Sequence, residues 1–374
     1  MSFQWSLQPM IKWMHFIGVY LESPGNDNSS GFRFFVTAYG FILFFVNVLS
    51  NGMMAAKFLQ GFDNISHQTT SSVLWNAVVS QTNYILVTIG CQLSLISGAV
   101  STWPGLIHIL REMEKERYFA AKDFHHFRRI YLSGLGFLIA VILAIIGISV
   151  TIIMSSQDLA IVDKLFQMFF TFLLMFVFSG GALFSCFGWM VASMLEILAE
   201  RVNMEQSNSN CSGCDWEKMF VRWRHLYLKI SRLVDKMNEC YGFLLLFLIT
   251  SSFVVTINSS FIIMRDVNEE GIDYNCVVHS FFLIIQFSHF AVLAYVPHRI
   301  RESAIYLSKQ LRELKIGNEA RQNKVNFFIL DVLNSLPQIT ALGLFDVNLR
   351  LAPTIVGTTL TYLVILCQLH YSAK

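Results

Sequence analysis

The chain has 374 residues, of which 54% are hydrophobic and 14% charged, with 34 Phe and a formal net charge of +2. Soluble domains carry about 25% charged residues, so this composition excludes an ordinary soluble enzyme or nucleic-acid-binding protein and points to an integral membrane protein. The near-neutral total names no partner; the distribution of charge along the chain is more informative.

Lys12 and His15 interrupt the first apolar run, and no small-residue cleavage site follows, so no signal peptide is expected. Seven stretches long enough to cross a bilayer then follow, at 34–56, 73–100, 131–154, 165–195, 241–264, 274–296 and 352–370. No Asp, Glu, Lys or Arg occurs between Asp63 and Arg111, or between Lys164 and Glu196. A charge at a span centre costs about 2.5–3.5 kcal/mol on insertion, which makes these gaps strong evidence for spans.

The segments between spans divide 23 Lys and Arg on one side from 4 on the other, the latter being Lys57, Lys164, Arg265 and Lys374. Basic residues stay with the cytosol, so the N-terminus is expected there and the C-terminus outside. A G-protein-coupled receptor has the opposite orientation, and that class's Asp-Arg-Tyr and Asn-Pro-x-x-Tyr signatures are absent. The short outer connections carry seven acids, Asp63, Asp158, Asp163, Asp266, Glu269, Glu270 and Asp273. Such a fringe would enrich cations at a pore mouth or simply solvate turns. Asn64-Ile-Ser66 is an acceptor for glycosylation on the outer side, whereas Asn28-Ser-Ser30 falls on the cytosolic side and is expected to stay unmodified.

The cytosolic segments read as folded helices. Trp216, Phe220, Trp223, Tyr227, Ile230 and Val234 recur with helical period, and nothing breaks the helix before the fifth span, so one rod from Asp215 to Met264 is expected. The sixth span runs on past Pro297 through Ile300, Ala304, Leu307 and Leu311 until Gly317-Asn318, and a further helix carries Val325, Phe328, Ile329 and Val332. These apolar faces need either a hub of neighbouring subunits or the inner leaflet to cover them.

The seven cysteines have no framework spacing. Cys211-Ser-Gly-Cys214 lacks a second pair, so zinc is not expected, and a bridge between Cys276 and Cys367 is only an option. His125-His126 lies on a basic stretch where solvation is the ordinary state, and no phosphate loop or hydrolase motif is present. No cofactor and no enzymatic activity are expected.

In the last span, Thr358, Thr361, Tyr362, Ile365, Gln368 and Leu369 fall on one helical face. Hydrocarbon cannot satisfy their hydroxyls and amide, so the stripe needs water or another helix beside it. Thr361-Tyr362, five apolar residues and Gln368 resemble the C-terminal signature of the insect gustatory receptors, which is Thr-Tyr, five hydrophobic residues and Gln-Phe. Gly343-Leu344-Phe345-Asp346 is similar to that family's segment before its last helix, and Leu369 departs from the pattern by standing in place of Phe.

The resemblance implies an all-α, polytopic membrane protein with seven transmembrane helices, assembled as a homo- or heterotetrameric ligand-gated cation channel in the plasma membrane of a sensory neuron dendrite. Residues 1–33 would be a cytosolic N-terminal segment, 34–296 a six-helix ligand-binding bundle, 297–350 cytosolic anchor helices and 351–374 the pore helix and tail. Gln368 and Leu369 would sit at the gate. A pocket for a small-molecule tastant, of bitter or aversive type, would draw on aromatic and amide residues in the outer halves of the spans. These are Trp75, Asn76 and Tyr84, Phe169 and Phe170, Asn258 and Phe261, and His279, Phe282 and Gln286. Membrane lipid and sister subunits are the other expected partners, and nucleic acid is not one. An odorant receptor of the same superfamily is the nearest alternative. A secondary transporter is the more distant one, for which inverted repeats and broken helices would be needed.

Overall fold

The computed structural model of the chain describes residues 2–22, 30–68, 71–155, 161–207, 213–269, 271, 274–314 and 318–372. Side chains are described outside 60–68, 71–77, 152–155, 161–173, 205–207, 213–215 and residues 30, 54, 57, 58, 269, 274, 275, 370 and 371. The described chain is almost wholly helical: α1 (Phe3–Phe16), α2 (Ser30–Gln68), α3 (Ser71–Ser101), α4 (Trp103–Lys115), α5 (Ala121–Ser155), α6 (Ile161–Ser207), α7 (Gly213–Glu269), α8 (Tyr274–Glu313), α9 (Glu319–Asn334) and α10 (Leu351–Ser372). Among the described residues, seven of these, α2, α3, α5, α6, α7, α8 and α10, are long and apolar enough to cross a membrane. Each contains one of the spans expected from the sequence.

Lipid offers no hydrophobic drive between helices, so packing sets their arrangement. Helix α6 is the hub: 83% of its apolar stretch is buried, against 17% for α2 and 11% for α10. Phe184, Phe187, Met190 and Leu195 of α6 meet Tyr241 and Leu244 of α7 and Leu293 of α8 in one continuous core. A side chain at Gly188 would lie 2.2 Å from Val296, so the bare glycine lets α8 approach closely. Helix α3 packs on α7, α2 packs on α3, and α10 lies on the flank of α7.

The N-terminal segment, where the sequence announces no span, folds as the amphipathic helix α1. Phe3, Leu7, Met10, Ile11 and Met14 form a buried stripe at helical spacing while Lys12 stays exposed, so the charge that interrupts the apolar run points away from the core. Ser2 caps the helix by accepting from the Trp5 amide at 3.2 Å. Phe3 stacks in a cluster with Phe119, Phe124 and Phe127, and the Trp13 indole donates to Ser179 on α6 at 2.9 Å. Beyond α1 the chain turns at Gly18 (φ +81°) and lies directly on Gly40 of α2, where a Cβ would come 2.0 Å from the Gly18 carbonyl oxygen.

The end of the bundle that carries most Lys and Arg, hereafter the basic end, is built from the extensions of α5 to α8 together with α4 and α9. Helix α7 is continuous over 57 residues, about 85 Å, and α8 continues past Pro297 as expected. The link between α4 and α5 is stapled to both neighbours. Arg201 of α6 bonds Asp123 at 3.0 Å and donates to the Tyr118 carbonyl. Lys229 of α7, only 5% exposed, holds Glu116 at 2.6 Å and Glu112 at 3.5 Å. Tyr118 and His225 are hydrogen-bonded at 2.9 Å.

Between α9 and α10 the chain forms a small antiparallel hairpin, Thr340–Ala341 with Phe345–Asp346. Leu342 and Gly343 take positive φ (55° and 72°) in its turn. Asn238 of α7 pins this hairpin, donating to the Gln338 carbonyl at 2.7 Å and accepting from the Thr340 amide at 3.0 Å. The optional bridge between Cys276 and Cys367 is not formed: Cys276 faces the Ile263 carbonyl, and Cys367 lies 3.5 Å from the Met264 sulfur.

Lys229→Met removes a charged donor from two carboxylates and is expected to cost about 1.5–3 kcal/mol, read as a lower melting temperature of the purified protein. Burial raises the Glu116 carboxyl, but hydrogen bonds from Lys229 and Tyr118 and the charges of Lys229 and His225 outweigh it and hold the group below its ordinary value. The pairing therefore stabilises fully above the ordinary carboxylate range and is lost as pH falls through the lowered folded value. A melting curve whose acid-side decline is shallower in Glu116→Gln than in the parent checks this.

Candidate functional site

Helix α10 divides into two faces. Ala352, Ile355 and Thr359 turn towards the bundle, the Tyr362 ring meets Phe253 of α7 with centroids 6.2 Å apart, and Cys367 reaches Met264. The other face carries most of the stripe read from the sequence, with Tyr362 and Thr358 on the boundary between the two. Thr361, Tyr362, Ile365, Gln368 and Leu369 are exposed and Thr358 is half-buried. Thr358 and Thr361 donate their hydroxyls to the carbonyls of Thr354 and Gly357 at 2.8 and 3.0 Å. Their donors are thus used within the helix, while oxygen lone pairs and the Gln368 amide remain on the outer surface. The arrangement presents acceptors and one amide along a helix that its own bundle leaves largely uncovered.

The candidate ligand residues are placed less uniformly. Trp75, Asn76, Phe169 and Phe170, with the glycosylation candidate Asn64, have side chains outside the described residues. Tyr84, His279 and Phe282 are half-buried and Phe261 is buried. Asn258 and Gln286 are engaged across helices: the Asn258 amide donates to Ser80 of α3 at 3.0 Å, and the Gln286 amide donates to Ser252 of α7 at 2.7 Å. Asn83 extends the same ladder by donating to Ser251 at 3.3 Å. The structure thus brings Asn258 and Gln286 to one α3–α7–α8 seam.

A second polar cluster lies between α2 and α3. The Asn47 amide donates to Gln92 at 2.7 Å, and Asn51 donates to Thr88 at 3.3 Å and also to Asn47. The carbonyl oxygens of Asn51 and Asn258 and the amide nitrogen of Gln92 are buried without a partner among the described residues. Asn47 and Asn51, and Thr88 and Gln92, stand four residues apart inside charge-free spans, a spacing that could have announced this cluster.

Comparison with known proteins agrees with this architecture. The structures of the insect olfactory receptor OR5 from Machilis hrabei superpose along nearly the whole chain. The form without a named ligand gives a TM-score of 0.70 at 13% identity, covering 98% of this chain and 99% of that one. The form in complex with eugenol gives 0.68 at 14% identity with the same coverage. At this identity the likeness establishes the fold alone. No curated protein sequence matches the chain. The family model described as 7tm chemosensory receptor matches residues 8–373, nearly the full length. That match sets aside the secondary-transporter reading, and the chain, a multi-pass membrane protein, belongs to the 7tm chemosensory receptor family.

Proposed function

We propose that the chain is a gustatory receptor that works as a tetrameric, ligand-gated, non-selective cation channel responding to a small-molecule tastant of bitter or aversive type. The observation that carries the reading is the outward stripe of α10, where Thr361, Ile365, Gln368 and Leu369 face away from their own bundle. Polar groups on a membrane helix need water or another protein surface. Four α10 helices around an axis provide both, with Gln368 and Leu369 at the narrowest point and the exposed apolar residues of α9, such as Phe327 and Leu330, covered by neighbouring subunits at the basic end. The Thr361-Tyr362…Gln368 ending favours the gustatory branch. The fold shared with an olfactory receptor solved with eugenol supports small-molecule binding and keeps an odorant receptor as the second reading.

In this reading the basic end faces the cytosol, the C-terminus faces outside and the protein sits in a sensory dendrite. The tastant enters from the outside among the helices that carry Tyr84, Asn258, Phe261, His279, Phe282 and Gln286. The seam amides would then be positioning groups, exchanging interhelical bonds for ligand contacts.

Three measurements test the proposal. Thiol labelling from outside intact cells is expected to reach a cysteine placed next to Lys374 and not one next to Ser2; the reverse pattern overturns the orientation. Gln368→Ala is expected to alter single-channel conductance, and Leu369→Trp is expected to reduce evoked current towards background. Agonist currents identical to the parent in both variants would remove the gate from these positions. Replacing external sodium by a large organic cation is expected to move the reversal potential to more negative values, and an unmoved potential would exclude cation selectivity.

A further inference from the structure

A cavity of about 670 Å³ opens between α5, α6 and α8 on the half of the bundle nearer the basic end. Its size falls within the range of small-molecule sites, about 300–1,000 Å³. It contains none of the ten candidate tastant residues. The walls are apolar, formed chiefly by Phe137, Leu138, Val141, Phe178 and Trp189. Ser133 and Phe137 on α5 are exposed, so the cavity opens sideways where lipid would lie.

Two polar residues that line this cavity, Arg129 and His289, make no structural bond among the described residues, whereas His126 is held by Ser193 at 3.3 Å. At its mouth stand His126 and Arg129, with no Asp or Glu in the lining. Among the described residues Arg129 has no ion-pair or hydrogen-bond partner, whereas Arg201, Lys229 and Arg299 are all paired. Deeper in, His289 lies against the Phe178 ring (centroids 5.0 Å) and directly over Gly181, where a Cβ would come 2.2 Å from Nε2. Both of its ring nitrogens are buried, and neither has a partner among the described residues. A neutral imidazole presents one donor and one acceptor, and leaving such groups buried and unpaired is costly, about 1–3 kcal/mol each. Phe178 packs with Leu138, which follows Arg129 by nine residues of helix, so Arg129 and His289 stand at levels about 13 Å apart.

We propose that this cavity binds an anionic amphiphile. Its charged head pairs with Arg129 beside His126, its chain lies along Phe137, Leu138 and Phe178, and a hydroxyl or carbonyl partway along the chain hydrogen-bonds to His289 once the imidazole turns off Gly181 to present a nitrogen. The site is separate from the tastant pocket and does not depend on the chain being a channel. Such a ligand arrives either as a free hydroxylated fatty acid or as one chain of an acidic membrane lipid.

Binding to the purified full-length protein tests this, with 12-hydroxyoleate, its methyl ester and plain oleate as probes. The acid is expected to bind at least about tenfold more tightly than the ester and than oleate, tenfold being 1.4 kcal/mol. Arg129→Gln is expected to abolish the preference for acid over ester, and His289→Phe the preference for the hydroxylated chain. Ser133→Trp, on an exposed wall position, fills the mouth and is expected to weaken all three, which keeps the test decisive if either other variant fails to fold. Equal binding of the three probes, preferences that survive both substitutions, or binding unaffected by Ser133→Trp overturns the proposal. In a parallel arm, nanodiscs containing phosphatidic acid esterified with the same hydroxylated chain identify the source. Co-purification of that lipid assigns the bilayer, binding of the free acid alone assigns a soluble amphiphile, and binding of neither overturns the site.

Discussion

Hydrocarbon satisfies no amide and no hydroxyl, and this one constraint organises the molecule. It makes every crossing a helix, because only a helix closes its own backbone bonds. It then dictates where side-chain polarity can go. Asn47, Asn51, Thr88 and Gln92 turn towards one another between α2 and α3. Ser80, Asn83, Ser252, Asn258 and Gln286 tie α3, α7 and α8 into one seam. Helix α10 instead aligns hydroxyls and an amide on a surface its own bundle leaves open. The same constraint that hides polarity elsewhere gives this helix its proposed place beside water.

At the basic end the rules change, because water is available and charge can be used for alignment. The link between α4 and α5 is short and would otherwise be loose. Arg201 and Lys229 fix it from two sides, one burying its partner Asp123 and the other being itself buried among partly solvated carboxylates. Lone surface pairs contribute little, but a network that also engages a backbone carbonyl and a Tyr–His pair is geometrically specific. The N-terminal helix docks on this framework through the Phe3 cluster, so the framework and the first helix hold each other in place.

Much of this was legible in the residues. Charge-free gaps located the spans, and an unbroken helical period announced the long α7 and the run of α8 through Pro297, since a proline in a well-packed helix bends it without ending it. The α10 stripe was visible as spacing alone. Helix α1 was hidden because Lys12 was read as a break in hydrophobicity when it is the exposed side of an amphipathic turn. The unpaired state of His289 and Arg129 could not be read at all. Both residues are ordinary in sequence, and only the approach of α6 at Gly181 and the lack of a facing carboxylate distinguish them. The seam partners of Asn258 and Gln286 likewise depend on helix order, which spacing within one helix does not contain.

The unbroken rod of α7 carries a mechanical implication. It pins the hairpin that leads into the last helix through Asn238, and it touches that helix near its far end through Met264 beside Cys367. Those two anchor points are 26 residues apart on a single stiff element, about 39 Å. Holding both the approach to the helix and its far end against one beam opposes lengthwise sliding and favours swivel about the helix axis and outward bowing. If α10 lines a pore as proposed, its opening would draw on those two motions, and a rocking of α7 would be passed to both contacts at once.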